Sequence, residues 1–143
     1  MILVTGATGN VGRHVVSQLL EAGAPVRALA RDPDSAGLPD GVDIVQGDLS
    51  EPDALDRCLE GVEAVFLLWA LLTAEALPEI LDAVSRHTRR IVYLSSMGID
   101  DDLDRQEDPI NQSHADVDEV IELLRLNYDR LAARHGVPSE ARA

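Results

Sequence analysis

Three glycines spaced three residues apart follow a short apolar run near the start of the chain. They stand in Gly6-Ala7-Thr8-Gly9-Asn10-Val11-Gly12, between Ile2-Leu3-Val4-Thr5 and a segment with helical apolar spacing. Glycine permits a tight turn and a close approach of the backbone to an anion, and a helix N-terminus offers free N–H groups to phosphate. The pattern predicts a site for a dinucleotide pyrophosphate, contacted by Gly6, Thr8, Gly9, Asn10, Val11 and Gly12. The alternative is a tight turn that merely holds three glycines.

The end of the second predicted strand indicates which dinucleotide would bind. NAD-selective sites usually place Asp or Glu there, to accept hydrogen bonds from the ribose 2′-hydroxyl. This chain has Ala30 and then Arg31, whose guanidinium could bind a 2′-phosphate through parallel hydrogen bonds. Arg13 could lie over the adenine or share that phosphate, whereas the alternative for Arg31 is an ion pair with Asp32 or Asp34. We therefore predict NADP(H) as the cofactor, with NAD(H) as the second choice.

Two further strand ends carry residues that could contact the cofactor. Asp48 and Leu49 follow the third strand, where a carboxylate and a backbone amide can reach the adenine edge, although a solvated turn would look similar. Leu68 and Trp69 end the fourth strand, where ligands bind in open α/β sheets. For Trp69, plain packing is the alternative role.

The composition limits the classes of partner. The 143 residues include 26 acidic and 12 basic ones, and the formal net charge of −14 repels nucleic acid and anionic lipid. No apolar run is long enough to span a bilayer, and Met1 leads into the first strand without a basic leader. The lone Cys58 asks for no oxidising compartment. We predict a single cytoplasmic domain over residues 1–143, with no nucleic-acid or membrane partner and no metal ligands.

Strand-like and helix-like segments alternate along the chain. The predicted strands are 2–5, 26–30, 42–45, 64–68 and 91–95. The predicted helices are 11–20, 50–61 with Ser50 as N-cap, and 75–87 with Pro78 in its first turn. Alternation of this kind implies right-handed crossovers and a parallel sheet covered on both faces. The sequence thus predicts an α/β fold of the doubly wound Rossmann type, with strand order 3-2-1-4-5.

Four segments resemble the NmrA-like atypical short-chain dehydrogenase/reductases. They are residues 4–13 (VTGATGNVGR), 27–32 (RALARD), 47–49 (GDL) and 92–96 (VYLSS). The resemblance extends over roughly residues 1–121 and implies a Rossmann-like fold with NAD(P) at the glycine turn. Members of that family include reductases of quinone-like or imine substrates and regulators that only sense the nucleotide. The resemblance therefore implies cofactor binding and leaves the reaction open.

The resemblance also directs attention to two candidate catalytic residues. The wider superfamily uses a Tyr-x-x-x-Lys pair, but the sequence contains no lysine, so neither Tyr93 nor Tyr128 has this partner. Ser95 occupies the place of the superfamily's catalytic serine, and a contact to the cofactor ribose or backbone is its alternative role. His114 falls in the first turn of a helix expected to line the active site, where the helix N-terminus disfavours a positive imidazole. An ordinary exposed histidine is the alternative there.

The last part of the chain departs from the family pattern, which would continue with a sixth strand and a substrate lobe. Apolar residues keep helical spacing from Val117 to Leu131, and the pattern predicts Ser113 as the N-cap. We predict one helix from His114 to about His135 and no substrate lobe. A second subunit could cover the apolar surface that remains, so we predict a homodimer, with a monomer as the alternative.

Two functions fit these observations. The first is an NADP(H)-binding domain without catalysis, such as a sensor of the nucleotide. The second is an NADPH-dependent oxidoreductase that acts on a small quinone or carbonyl substrate and is completed by oligomerisation. An interaction module that has lost the nucleotide would require disrupted glycines, and Gly6, Gly9 and Gly12 are intact.

Overall fold

Five strands and four helices make up the described part of the chain. In a computed structural model, the structure is described for residues 1–51, 55–88 and 90–134, with the side chains of the last helix described up to Glu122. The elements in chain order are β1 (Ile2–Val4), α1 (Asn10–Glu21), β2 (Val26–Ala30), β3 (Asp43–Gln46), α2 (Leu55–Leu59), β4 (Ala64–Leu68), α3 (Leu77–His87), β5 (Ile91–Leu94) and α4 (Pro109–Arg134).

The strands form one parallel sheet in the order β3-β2-β1-β4-β5. Val4 at the end of the central strand is in register with Ala28 on one side and Phe66 on the other. The predicted α/β class and strand order are confirmed. Because all the strands run the same way, their carboxyl ends lie along one edge of the sheet, and the order reverses between β1 and β4. That point is where doubly wound sheets bind their ligands.

The sheet carries a core on each face, because successive side chains of a strand point to opposite faces. On one face Val4 and Ala28 pack with Val16 of α1. On the other face Leu3 and Leu67 belong to a larger core that includes residues of α2, α3 and α4. Helix α3 starts at Leu77, so Pro78 lies in its first turn as predicted. The predicted first turn of α2 includes residues 52–54, which lie outside the described residues.

Strand β5 is less completely covered than the other strands. Tyr93 packs against the larger core, whereas Val92 and Leu94, on the opposite face, are 55% and 40% exposed. Within the described residues, β5 is also one of the two edge strands of the sheet. An apolar strand face and an unpaired strand edge therefore meet at this side of the molecule.

The long C-terminal helix is confirmed, but it begins earlier than predicted. The carboxylate of Asp108 accepts the backbone N–H groups of Ile110 at 2.9 Å and Asn111 at 3.0 Å, which makes Asp108 the N-cap and Pro109 the first helical residue. The prediction of Ser113 as N-cap is wrong, because this residue lies inside the helix. The predicted end near His135 lies outside the described residues.

Candidate functional site

The glycine turn connects the end of β1 to α1 and is fixed to the neighbouring strand. Thr5 donates its hydroxyl to the carbonyl of Leu68 at 3.0 Å and accepts the N–H of the same residue at 2.8 Å. Gly6 follows with a φ of +59°, in the left-handed region that favours glycine. Its carbonyl accepts the N–H of Gly9 at 3.0 Å. The turn is thus held against β4, at the position where the strand order reverses.

The second and third glycines do different work in this turn. A Cβ atom on Gly12 would overlap the carbonyl oxygen of Gly6 and stand 2.8 Å from Cα of Ala7, so this glycine lets α1 pack closely on the turn. A Cβ on Gly9 would meet the Gly6 oxygen at 3.3 Å and otherwise point into open space. Gly9 is also the N-cap of α1 and has no side chain to cap it. The N–H groups of the first turn of α1 are therefore available to an anionic ligand.

An open crevice of about 350 Å³ lies along the carboxyl ends of the central strands. Its walls come from the glycine turn and from the residues that follow β2, β3 and β4. The lining residues are Gly6, Thr8, Gly9, Val11, Gly12, Leu29, Ala30, Arg31, Gly47, Asp48, Leu49, Leu68, Ala70 and Leu71. Nine of the residues predicted to bind the cofactor are in this set. Asn10, Arg13, Trp69 and Ser95 are not.

One end of the crevice combines a cation with a carboxylate. Arg31 is exposed at the end of β2, and its charge contributes to holding the pKa of Asp48 below the usual range. The larger causes of that lowered pKa are the N–H and the hydroxyl of Ser50, which both donate to Asp48 at 2.9 Å. Asp32 binds within its own loop, accepting the Ser35 hydroxyl at 2.7 Å. Among the described residues, Arg31 forms no ion pair with Asp32 or Asp34, so its guanidinium is available at this wall.

Arg13 lies beside this end of the crevice and contacts the protein backbone. Its guanidinium donates to the carbonyls of Thr8 at 2.9 Å, Gly37 at 2.6 Å and Ala36 at 2.8 Å. These bonds join the start of α1 to the loop after β2. The structure thus gives Arg13 a role in shaping this end of the crevice, while a direct contact to adenine or phosphate stays a prediction.

The opposite end of the crevice is formed by the last residue of β4 and the residues that follow it. Leu68, Ala70 and Leu71 line the wall, whereas the intervening Trp69 is 7% exposed and belongs to the larger core. The indole Nε1 of Trp69 donates to Oγ of Ser113 at 2.9 Å, and Ser113 donates to the carbonyl of Leu71 at 2.9 Å. Trp69 therefore has the packing role that the sequence left open.

The two candidate catalytic residues lie on either side of the contact between β5 and α4. Because α4 begins at Pro109, His114 is in the second turn, and the expectation of a first-turn histidine at the helix N-terminus is wrong. Its Nδ1 atom is 2.6 Å from the hydroxyl of Tyr93. Ser95 donates to the carboxylate of Asp118 at 2.5 Å, one helical turn further along α4. Burial raises the pKa of Tyr93 well above its usual range, and the nearby Asp118 carboxylate adds to this.

Sequence reasoning missed four residues of this region. Tyr93 and Asp118 pair with residues 21 and 23 positions away in the chain, so no local pattern reveals them. Ser113 was assigned to a helix cap rather than to the crevice wall. Asp108 had a visible signal, since an aspartate directly before a proline is typical of a helix start.

Comparison with known protein families agrees with this geometry. The sequence matches the family described as NAD(P)H-binding over residues 6–133. The chain belongs to that family. A Streptomyces griseus (4-alkanoyl-5-oxo-2,5-dihydrofuran-3-yl)methyl phosphate reductase is 45% identical over 103 residues, which are 71% of this chain and 36% of that protein. An NmrA-like family domain-containing oxidoreductase of Penicillium ochrochloron is 41% identical over 73 residues, 47% of this chain and 22% of that protein. The NAD(P)H-binding chain thus spans about a third or less of these relatives.

Solved structures support the same family fold. A short-chain dehydrogenase/reductase superfamily protein from Agrobacterium tumefaciens with bound NAD has a TM-score of 0.70 at 28% identity, covering 86% of this chain and 44% of that chain. A short-chain dehydrogenase/reductase from Veillonella parvula in complex with NADP has a TM-score of 0.69 at 20% identity, covering 84% and 62%. Within the described residues, no helix has the length and apolar character needed to cross a membrane. The NmrA-like relationship and the Rossmann fold thus agree with the site geometry.

Proposed function

We propose that this domain binds NADP(H) in preference to NAD(H) and acts as a cofactor binder or sensor without catalysing a reaction. The observation that carries the preference is Arg31, an exposed cation on the crevice wall at the end of β2. An NAD-selective site would have a carboxylate there to accept the ribose 2′-hydroxyl. The Asp32 carboxylate, one residue further on, instead accepts bonds from Ser35 and from the N–H of Asp34.

Electrostatics supports an anionic ligand in this crevice. The net charge of −14 repels a dinucleotide phosphate in general, so binding needs local positive potential. The uncapped N-terminus of α1 supplies it for the pyrophosphate, and Arg31 supplies it for a 2′-phosphate. With adenine near Arg31 and Asp48, the nicotinamide end would extend toward Leu68 and Leu71.

The state of the catalytic candidates supports binding without turnover. In the superfamily a lysine lowers the pKa of the catalytic tyrosine, whereas here the sequence has no lysine and burial raises the pKa of Tyr93. The hydroxyl of Ser95 is bonded to Asp118. We propose a cytoplasmic location, which agrees with a sequence whose single cysteine, the buried Cys58, asks for no oxidising compartment.

A second candidate function is an NADPH-dependent oxidoreductase for quinone or carbonyl substrates, completed by a second copy of the chain. The 2.6 Å contact between Tyr93 and His114 favours it, because such a pair can pass a proton to a substrate oxygen. The reductase names of relatives also favour it. The exposed faces of Val92 and Leu94 offer a surface for the second copy.

Calorimetric titration with NADPH and NADH tests the proposal. We expect NADPH to bind about tenfold more tightly, and Arg31→Ala to remove most of that preference while sparing NADH, since one charge-assisted contact is worth about 1.5 kcal/mol or more. Arg90→Ala is the matched control, because Arg90 precedes β5 at the opposite end of the sheet and is also exposed. Equal affinities for the two cofactors in the parent protein would contradict the assignment.

The parent protein, compared with Tyr93→Phe and His114→Ala, decides between the two functions. NADPH is incubated with a panel of quinones and carbonyl compounds, and its oxidation is followed by absorbance. Oxidation that depends on both Tyr93 and His114 would favour the oxidoreductase. Binding without oxidation would favour the sensor.

A further inference from the structure

Helix α4 carries a buried hydroxyl that neither proposed function uses. Ser113 is 2% exposed, and its Oγ makes two hydrogen bonds of 2.9 Å, one accepted from the indole of Trp69 and one donated to the carbonyl of Leu71. A serine hydroxyl with one donor and one acceptor contact has its main hydrogen-bonding capacity filled. This side chain is thus a fixed junction inside the protein.

The junction lies directly behind the wall of the crevice. Residues 69–71 are not part of a strand or helix, so no regular hydrogen-bond ladder holds them. Ala70 and Leu71 face the crevice, and Trp69 faces the core. The hydroxyl of Ser113 bonds the residues on both sides of Ala70. The backbone at Ala70 is therefore held in place through α4.

We propose that Ser113 is a positioning residue, which holds residues 69–71 in the conformation that binds the nicotinamide half of the dinucleotide. This inference rests on the proposed NADP(H) binding. The adenine half would contact Arg31 and Asp48 at the other end of the crevice, on β2 and β3. Among the described residues, no hydrogen bond joins Ser113 to either of those strands. Loss of the Ser113 hydroxyl should therefore weaken the binding of the nicotinamide half and leave the binding of the adenine half unchanged.

The test compares the whole cofactor with a fragment of it. Adenosine 2′,5′-bisphosphate contains the adenine, the ribose and the 2′-phosphate but no nicotinamide. We expect Ser113→Ala to weaken NADPH binding about tenfold, corresponding to about 1.4 kcal/mol, and to change the fragment's affinity less than about twofold. Ser113→Thr, which retains a hydroxyl, should recover most of the NADPH affinity.

Ser85→Ala is the matched control. Like Ser113, Ser85 lies in a helix and donates its hydroxyl to a backbone carbonyl, here that of Asp82. Ser85 is exposed on α3 and does not line the crevice. It should leave both ligands unchanged. Trp69 is the single tryptophan of the sequence, so its fluorescence spectrum reports directly whether the indole has lost its partner in Ser113→Ala.

The outcomes separate this inference from the proposed function. If the parent protein binds neither NADPH nor the fragment, the proposed function and the inference both fail. If the parent binds both and Ser113→Ala binds NADPH as the parent does, only the inference is overturned. A parallel loss of NADPH and fragment affinity in Ser113→Ala would also overturn it, because a general loosening of the fold would then explain the effect.

Discussion

Replacing Gly9 and Gly12 by alanine, one at a time, adds a methyl group at two positions that differ in the space around them. Gly9 has φ −79° and ψ 174°, a conformation that alanine adopts without strain, and its new Cβ would contact the Gly6 oxygen at 3.3 Å. Alanine lowers the conformational entropy of the unfolded chain, which stabilises the fold by about 0.4–1 kcal/mol. This gain roughly offsets the loss of a favourable N-cap residue. We expect the free energy of unfolding of Gly9→Ala to stay within about 1 kcal/mol of the parent value.

Gly12→Ala should act on the fold instead. Its Cβ would overlap the Gly6 carbonyl oxygen and lie 2.8 Å from Cα of Ala7, and both are backbone atoms that cannot rotate away. Overpacking of this kind costs about 3 kcal/mol, since α1 has to move off the turn. For a chain of this size 1 kcal/mol shifts the melting temperature by about 3 °C. We therefore expect a fall of about 9 °C for Gly12→Ala and at most about 3 °C for Gly9→Ala.

For cofactor binding, we expect the direct effect of Gly9→Ala to be larger than that of Gly12→Ala. The methyl group of Gly9→Ala would stand in the crevice where the pyrophosphate approaches the backbone, and we expect NADPH affinity to fall at least about tenfold. Gly9→Val, with two more methyl groups, should abolish binding in a protein that is still folded. Thermal unfolding by circular dichroism and titration by calorimetry measure the two quantities on the same samples. Parental affinity in folded Gly9→Val would refute the placement of the cofactor, and a parental melting temperature in Gly12→Ala would refute the close approach of α1.

Two further predictions concern association and acid stability. Light scattering at micromolar concentration should give about twice the 15.5 kDa mass of the chain, because a dimer would cover the apolar face of Val92 and Leu94; a 15.5 kDa particle would contradict the homodimer. The depressed pKa of Asp48 stabilises the fold above the unfolded value of about 3.9, and this contribution is lost as the pH falls through the folded value. Urea unfolding between about pH 5 and pH 3 should therefore show falling stability, with a smaller fall in Ser50→Ala; an equal fall in that variant would argue against the Asp48–Ser50 interaction.

The parts of the fold that follow from local pattern were predictable. The glycine turn, the parallel order and the long final helix each depend on spacing within a short window or on a topological rule with few exceptions. The start of α4 was predicted too late because Ser113 and Asp116 have the spacing of an N-cap and its N3 partner. Asp108 and Pro109 lie before the first apolar residues of the helical pattern. Two local signals compete there; in the structure Asp108 caps the helix, and the Ser113 hydroxyl instead makes a long-range hydrogen bond to Leu71.

The inner details of the site depend on long-range packing. Leu68 and Trp69 are neighbours where β4 ends, and the hydrogen bond from the Trp69 indole to Ser113, 44 residues further along the chain, holds Trp69 on the core side. The Tyr93–His114 contact depends on the position of α4 along β5. A shift of one residue in the helix would change this contact. A sequence reading can identify such residue types as candidates, but their partners follow from the docking of whole elements.

The uncovered face of β5 has a consequence for how the protein behaves in solution. Val92 and Leu94 expose apolar surface beside a strand edge that has no partner in the described part of the chain, a combination that favours nonspecific association between molecules. The charge of −14 opposes this through mutual repulsion, whose range is about 10 Å at 0.1 M salt and about 3 Å at 1 M. Where no second copy covers this face, we therefore expect the acidic surface to keep the molecules apart, and we expect concentrated salt to screen that repulsion while the apolar strand face stays exposed.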